Sequence, residues 1–291
     1  MRDTARRLWR EMDGLNVPSE LICIDDHSDE QYTVINRELS KWGRYVELEE
    51  NIGRARIRNL FLRYAQYDYL LFLDCDSIVG EGFLSKYIDA IQHEPIKGVF
   101  CGGRVYDSKS DDREHHLRYV YGVKCESHNA RQRCKHPYRS FMTNNFVVHR
   151  RVMETIPFDE RISRYGHEDT LFGYRLQQEG VPIHHMDNPV VNGDVESNDE
   201  FLRKTTDGVK SLAEIYRWLG GEKEFVEQVS LLRFYSHIRR LRIDGALLSV
   251  FKILRPVMKR RLLSGRGEGM YLFAFYKLGV LLECLQDDCP C

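Results

Sequence analysis

Two short apolar runs, Leu21-Ile22-Cys23-Ile24 and Tyr69-Leu70-Leu71-Phe72-Leu73, each end on a pair of carboxylates. Continuous apolar runs of this length suit strands buried on both faces. Between them Ile57, Leu60, Phe61, Tyr64 and Ala65 recur at helical spacing, and Arg54, Arg56, Arg58 and Arg63 mostly take the remaining positions. Further helices are predicted over 31–41 and 81–92. Strand–helix–strand alternation of this kind predicts an α/β fold with a mainly parallel sheet flanked by helices. Such sheets bind ligands beyond the C-terminal ends of their strands, where both carboxylate pairs fall.

Composition narrows the class. Of 291 residues, 42% are hydrophobic and 30% charged, which is ordinary for a globular protein. Lys+Arg 43 against Asp+Glu 44 leaves a net charge of −1, so no protein-wide field draws nucleic acid. No stretch reaches the roughly 18 apolar residues of a membrane span. The first residues, MRDTARRLWREMD, lack the apolar core of a secretory signal. The expectation is a cytoplasmic protein, either soluble or peripheral on the inner face of the plasma membrane. Cys23, Cys75 and Cys101 sit in or beside strand-like runs as small hydrophobes. Cys125, Cys134, Cys289 and Cys291 show no paired zinc-type spacing, so reduced thiols are expected.

Residues 107–138 form a polar, His- and Arg-rich segment, long enough inside a compact domain to suggest a functional loop. Strand character resumes at Asn145-Phe-Val-Val-His149. A helix is predicted over 168–179, then short strands over 182–186 and 190–191. Beyond Asn198 only helical patterns remain. The predicted domains are therefore 1–197 and a helical C-terminal extension, 198–291.

Three acidic clusters lie where the architecture places a site: Asp25-Asp26-His27-Ser28, Asp74-Cys75-Asp76-Ser77 and His167-Glu168-Asp169. Alternation along a strand points Asp74 and Asp76 to one side. Two converging carboxylates repel unless a cation lies between them, and hard oxygen ligands suit Mg2+ or Mn2+ bridging to a diphosphate. A single cluster reads equally as a solvated acidic turn. Three at the edges of one sheet favour a site.

Taken in order, Asp25-Asp26-x-Ser28, Asn51-x-Gly53-x-Ala55-x-x-x-Asn59, Leu73-Asp74-Cys75-Asp76 and His167-Glu168-Asp169-Thr170-x-Phe172-Gly173-Tyr174-Arg175 resemble the family 2 glycosyltransferases of GT-A fold, over about residues 1 to 196. The resemblance implies that Asp26 or Asp25 contacts the nucleotide base. It places Asn51, Gly53 and Arg54 or Arg56 beside the nucleotide. Asp74 and Asp76 would hold the sugar-nucleotide and its metal, and Asp169 would be the catalytic base, with Glu168 beside it. At the family's third metal position this sequence has Asn192, with His184 and His185 as nearby substitutes. The apolar strand that opens family members has no counterpart ahead of 2–11, which would leave a sheet edge open.

The chemistry follows from the groups. A sugar-nucleotide already carries a good leaving group, so the protein must neutralise the departing diphosphate and take a proton from the acceptor hydroxyl. One Glu-Asp pair without a nucleophile implies attack with inversion. A helix N-terminus favours a carboxylate in its anionic form, which suits Asp169 as the base. The donor is expected to be a UDP-sugar and the acceptor a hydroxyl on a growing or lipid-linked glycan. Asn144, Arg131 and His167 are the candidate acceptor contacts, with Arg118, Arg133, Lys135 and Arg139 as further anion-gripping side chains. From Arg233 to Arg266 ten basic residues face only Asp244, interleaved with Leu247, Leu248, Val250, Phe251, Ile253 and Leu254. Such helices suit an anionic membrane surface or a helical cap.

Two other readings fit parts of the pattern. A haloacid-dehalogenase-type phosphatase would use Asp74 as nucleophile, with Gly193-Asp194 and Asp199 as its later motif. A glycosyltransferase relative without catalysis would serve as a binding or scaffold subunit.

Overall fold

The computed structural model describes residues 1–93, 98–107, 112–266 and 269–286. Cys289 and Cys291 lie outside the described residues. In chain order the elements are α1 (Arg2–Asp13), β1 (Ile22–Asp25), α2 (Glu30–Asn36), β2 (Arg44–Glu47), α3 (Arg54–Tyr64), β3 (Tyr69–Leu73), β4 (Ser77–Ile78), α4 (Phe83–His93), β5 (Val99–Cys101) and β6 (Arg104–Tyr106). There follow α5 (His116–Tyr121), α6 (Ala130–Arg133), β7 (Asn145–His149), α7 (Arg150–Thr155), α8 (Glu168–Gln178), β8 (Ile183–His185) and β9 (Val190–Asn192). The chain ends in α9 (Asn198–Trp218), α10 (Lys223–Gln228), α11 (Ser230–Arg240), α12 (Asp244–Leu263) and α13 (Met270–Gln286). The chain falls into two compact units. One comprises Met1–Val105, Ser127–Ser163 and Arg175–Asp194; the other comprises Tyr106–Glu126, Arg164–Tyr174 and Val195 onward.

The first unit is α/β. Its largest sheet has the order β3-β7-β5-β8, with β1-β2 and β4-β9-β6 as smaller sheets. The expectation of a mainly parallel sheet is corrected: β1-β2 and β5-β8 run parallel, but β7 is antiparallel to both β3 and β5, and β9 is antiparallel to β4. The reason is local. The Asp74 amide donates to the Asn144 carbonyl at 3.2 Å, so the returning chain enters the sheet at the carboxylate end of β3 and runs back against it. In that register Leu73 faces Asn145.

Phe72 and Phe146 stack at 5.0 Å between these strands, and Phe158 packs edge-on against Phe146. On another part of the core Leu8, Val79, Phe83, Tyr87, Phe100, Val147 and Val190 gather. Although charged over most of its surface, α1 is fixed there by polar contacts as well as by Leu8. Thr4 donates to the Ser77 carbonyl at 2.7 Å. The Glu11 carboxylate accepts from the Leu84 and Ser85 amides at 2.8 and 3.0 Å, satisfying donors left open at the start of α4.

The polar segment is more ordered than its composition suggests. Residues 108–111 lie outside the described residues, but α5, a π-turn over Gly122–Glu126 and α6 follow. Arg133, read from the sequence as a grip for phosphate, is instead buried. Its guanidinium donates to the carbonyls of Gly102 (3.0 Å), Met186 (2.7 Å), Cys101 (3.3 Å) and His128, and through Nε to His185 Nδ1 (3.1 Å). Burial pushes the His185 imidazole down to about 4, which keeps Nδ1 free to accept. Planar geometry with five donors explains why arginine occupies this position. Arg133→Met strands several buried carbonyls and is expected to lower stability by about 3 kcal/mol or more in urea unfolding. A change within about 0.5 kcal/mol would show that water replaces the guanidinium.

The second unit is built on α9, α12 and α13, with Phe201 and Phe273 stacked at 5.4 Å. Asn198 ties it together, accepting from the Leu117 amide at 2.8 Å and donating to the Arg113 carbonyl at 2.7 Å. Arg118 also departs from the anion-gripping role expected of it. It is buried against Glu126 (3.0 Å) and Glu196 (3.4 Å), with Tyr106 beside them. Two carboxylates offset the burial that would otherwise weaken its charge.

Candidate active site

The first acidic cluster divides its work. Asp25 is buried, and its carboxylate accepts from the Ser28 amide (2.8 Å), Asn36 Nδ2 (2.9 Å) and the Tyr45 hydroxyl (2.7 Å). Burial opposes its ionisation, but these donors prevail and hold its carboxyl below the usual range. Its oxygens are therefore spent inside the protein. Asp26 instead holds the turn before α3, accepting from the Ile52 amide at 2.7 Å and the Gly53 amide at 3.0 Å. Asn51 donates to the Asp26 carbonyl at 3.0 Å. Gly53, with φ of 81°, takes a left-handed conformation open to glycine at little strain. Arg54 opens α3 exposed, and exposed Arg56 lies 3.8 Å from Glu160. Asp26, Asn51 and Gly53 are thus joined in one hydrogen-bonded turn.

The second cluster lies at the end of β3. Asp74 closes a turn by accepting from the Ser77 amide at 3.1 Å. One residue after Asp76, Ser77 pairs in register with Asn192, and the Gly193 amide donates to the Asp76 carbonyl at 2.8 Å. The charge that relieves the carboxylates comes from side chains the sequence reading did not single out. Arg104 lies 3.6 Å from Asp74 and 3.8 Å from Asp76, and buried Arg58 lies 3.7 Å from Asp74. Arg58 also sits over the Phe158 ring at 5.4 Å. The Gly-Gly-Arg sequence after the Val99–Cys101 strand was the available signal for Arg104. Arg58 follows Ala55 by three positions, and these two form the buried face of α3.

Asn144 stands beside this cluster. It is buried, its carbonyl accepts from Asp74, and its side-chain nitrogen has no hydrogen-bond partner. A buried amide donor in that state is ready for a ligand oxygen. Of the third-ligand candidates, Asn192 stands in the strand beside the cluster and donates its Nδ2 to the Asp194 carbonyl at 2.7 Å. His185 is committed to Arg133 and to the Pro137 carbonyl at 2.9 Å. Among the described residues no third His, Cys, Asp or Glu completes a metal cage. Two carboxylates and an amide oxygen fit a hard divalent cation that takes its remaining ligands from diphosphate and water.

The third cluster belongs to the second unit. Gly166 and His167 both have positive φ, 94° and 65°, and turn the chain into α8, which Glu168 and Asp169 open. The preceding loop is anchored on α9: Ser211 donates to the Tyr165 carbonyl at 3.1 Å, and Arg164 pairs with Glu214 at 3.3 Å. Glu168 is buried and Asp169 half-buried, with Asp169 Oδ1 accepting from the Thr170 amide at 2.7 Å. Burial pushes the His167 imidazole down to about 4, and its Nδ1 lies 3.0 Å from the Thr170 hydroxyl. Arg131 is exposed on α6.

Residues 14–156 match the model of the family described as "Glycosyl transferase family 2". Over residues 14–156 the chain is a glycosyltransferase family 2 domain. It is 28% identical over 200 residues to a chondroitin synthase of Escherichia coli, covering 55% of this chain and 28% of that protein. A chondroitin synthase of Pasteurella multocida is 26% identical over 198 residues, covering 57% of this chain and 20% of that one. The chain thus spans less than a third of the length of these relatives. A mannosyltransferase from Pyrobaculum calidifontis, solved in complex with GDP-Man and Mn2+, shares the fold with a TM-score of 0.53. It is 14% identical, with 95% of this chain and 83% of that one covered. Family membership overturns the haloacid-dehalogenase reading of Asp74 as a phosphoryl-accepting nucleophile.

Proposed function

We propose that the chain moves a sugar from a nucleotide-sugar, preferably a UDP-sugar, to a hydroxyl of a growing or lipid-linked glycan, inverting the anomeric centre. The observation that carries this is the gathering of Asp74 and Asp76 with Arg58, Arg104 and the partnerless amide of Asn144 at the end of β3. Asp26, Asn51 and Gly53 form the turn that receives the nucleotide, with Arg54 or Arg56 beside it. Asp74, Asp76 and Asn192 would hold a Mn2+ or Mg2+ ion, which when bound neutralises charge on the diphosphate. Arg58 and Arg104, which lie beside Asp74 and Asp76, supply counter-charge for the leaving group. Asn144 donates to an oxygen of the donor or acceptor sugar, and Arg131 and His167 contact the acceptor. Asp169 takes the proton of the attacking hydroxyl as the new carbon–oxygen bond forms and the bond to the diphosphate breaks, with Glu168 beside it. One displacement by one base leaves the product inverted.

Relatives named as chondroitin synthases support a glycan acceptor. Nucleic acid is not among the partners, consistent with the balanced charge. Among the described residues no helix is long and apolar enough to cross a membrane. We place the protein in the cytoplasm, with access to the inner membrane face where lipid-linked acceptors are extended.

Calorimetric titration with UDP and with GDP, each with and without Mn2+, tests the donor site. Cation-dependent UDP binding is expected, with about a hundredfold or greater loss of affinity in Asp76→Ala. Failure of the folded protein to bind either nucleotide would replace this function with a non-catalytic binding or scaffold role.

A further inference from the structure

The helix α12 is apolar around more of its circumference than the protein covers. Leu248, Phe251, Met258 and Leu262 are buried. On another side Val250 (44% exposed), Ile253 (76%), Leu254 (43%) and Val257 (64%) stand in solvent. Their spacing of three and four residues makes a single stripe along the helix. One turn beyond Val257 that stripe reaches Arg261, which lines a cavity of about 300 Å³ in the same unit. Arg266 and His116 also line it, and Leu117, Leu262 and Met270 give it apolar walls. Tyr271, 95% exposed, stands at its edge.

The uncompensated charges along and just beyond the helix are mostly positive. Asp244 is the sole acidic residue of α12. Arg255 is taken by Glu283 at 3.0 Å, and Lys259 lies 3.9 Å from Asp199. Among the described residues no carboxylate pairs with Lys252, Arg260, Arg261 or Arg266. A continuous apolar stripe with unneutralised arginines and an exposed tyrosine is the composition of a helix lying in an anionic lipid interface. The cavity has room for a phosphate headgroup but not for a whole lipid.

We propose that α12 seats the protein on an anionic bilayer, with Val250, Ile253, Leu254 and Val257 in the acyl boundary and a lipid phosphate held by Arg261 and Arg266. A second copy of the chain on the same stripe would leave the arginines facing each other without counter-charge. That disfavours self-association.

The test is co-sedimentation of the full chain, without nucleotide, with vesicles of phosphatidylcholine alone and of equal parts phosphatidylcholine and phosphatidylglycerol. The protein is expected to partition onto the anionic vesicles and to leave them as salt is raised. Ile253→Asp with Val257→Asp is expected to reduce binding by about tenfold or more. Arg261→Gln with Arg266→Gln is expected to reduce it roughly fivefold per arginine and to weaken the preference for phosphatidylglycerol, which Lys252 and Arg260 keep in part. All four positions are at the surface, and unchanged melting curves would exclude unfolding as the cause. Absence of wild-type binding, or unchanged binding by the stripe variant, would overturn the proposal. So would a wild-type dimer that the stripe variant converts to monomer, since the stripe would then serve self-association. The assay involves no sugar transfer, so it and the donor-site titration can fail independently.

Discussion

Asp169→Asn is expected to lower turnover by about a thousandfold while leaving nucleotide affinity within about twofold of wild type. The magnitude is that of removing a positioned general base. Asparagine keeps the size of the side chain, and an oxygen able to accept from the Thr170 amide, but it cannot take a proton from an acceptor hydroxyl. The backbone turn that presents the residue is fixed by Gly166, His167 and the contacts of Tyr165 with α9, none of which the substitution touches. Steady-state release of UDP gives turnover, and calorimetry with the same preparation gives affinity. Equal losses in both would move Asp169 from proton transfer to donor binding. Glu168→Gln in parallel distinguishes the neighbouring carboxylates, since buried Glu168 should report on folding as well as activity.

The largest expected effect on stability belongs to a residue without a side chain. A Cβ at Gly102 would lie 2.3 Å from the Asn188 carbonyl, 2.4 Å from Asn145 Nδ2 and 2.5 Å from the Tyr87 hydroxyl. Those groups form a closed network: Tyr87 donates to Asn145 at 2.6 Å, while Asn145 donates to the Gly103 and Asn188 carbonyls at 2.9 and 2.8 Å. Neither the strand backbone nor the buried amides can retreat without losing hydrogen bonds. Gly102→Val should therefore cost about 4 kcal/mol or more, through overpacking and stranded polar groups together. Urea midpoints with unchanged slopes would confirm a stability effect, whereas a loss below about 1 kcal/mol would mean that the network relaxes. Because Asn145 is next to Asn144 and pairs with Leu73, the same variant should also loosen the carboxylate end of β3.

The first two carboxylate clusters were legible because each followed a continuous apolar run of strand length, whereas the third was marked by its place at the opening of α8. The strand at Asn145–His149 was legible from a similar apolar run. The direction of that strand was not, since nothing in Asn-Phe-Val-Val-His distinguishes parallel from antiparallel pairing. Direction came from the Asp74–Asn144 backbone bond, a contact distant in sequence. Arginines were the other blind spot. Arg58, Arg118 and Arg133 occupy positions that helical spacing or local polarity assigns to solvent, yet each is buried against a ring, carboxylates or carbonyls. A guanidinium can serve as an internal strut as readily as a surface charge, and only the acceptors around it decide which. Of the two first-motif carboxylates, either fits the pattern; their hydrogen bonds commit Asp25 to the interior and Asp26 to the Gly53 turn.

The pairing of β1 with β2 alone has a kinetic meaning. Among the described residues these strands lean on each other, whereas β7 is bracketed by β3 and β5. Opening the small sheet breaks one ladder, but releasing β7 requires two. The amides of β1 and β2 are therefore expected to exchange before those of β7, a hierarchy of amide protection that places the strand leading to Asp26 in the softer foldon.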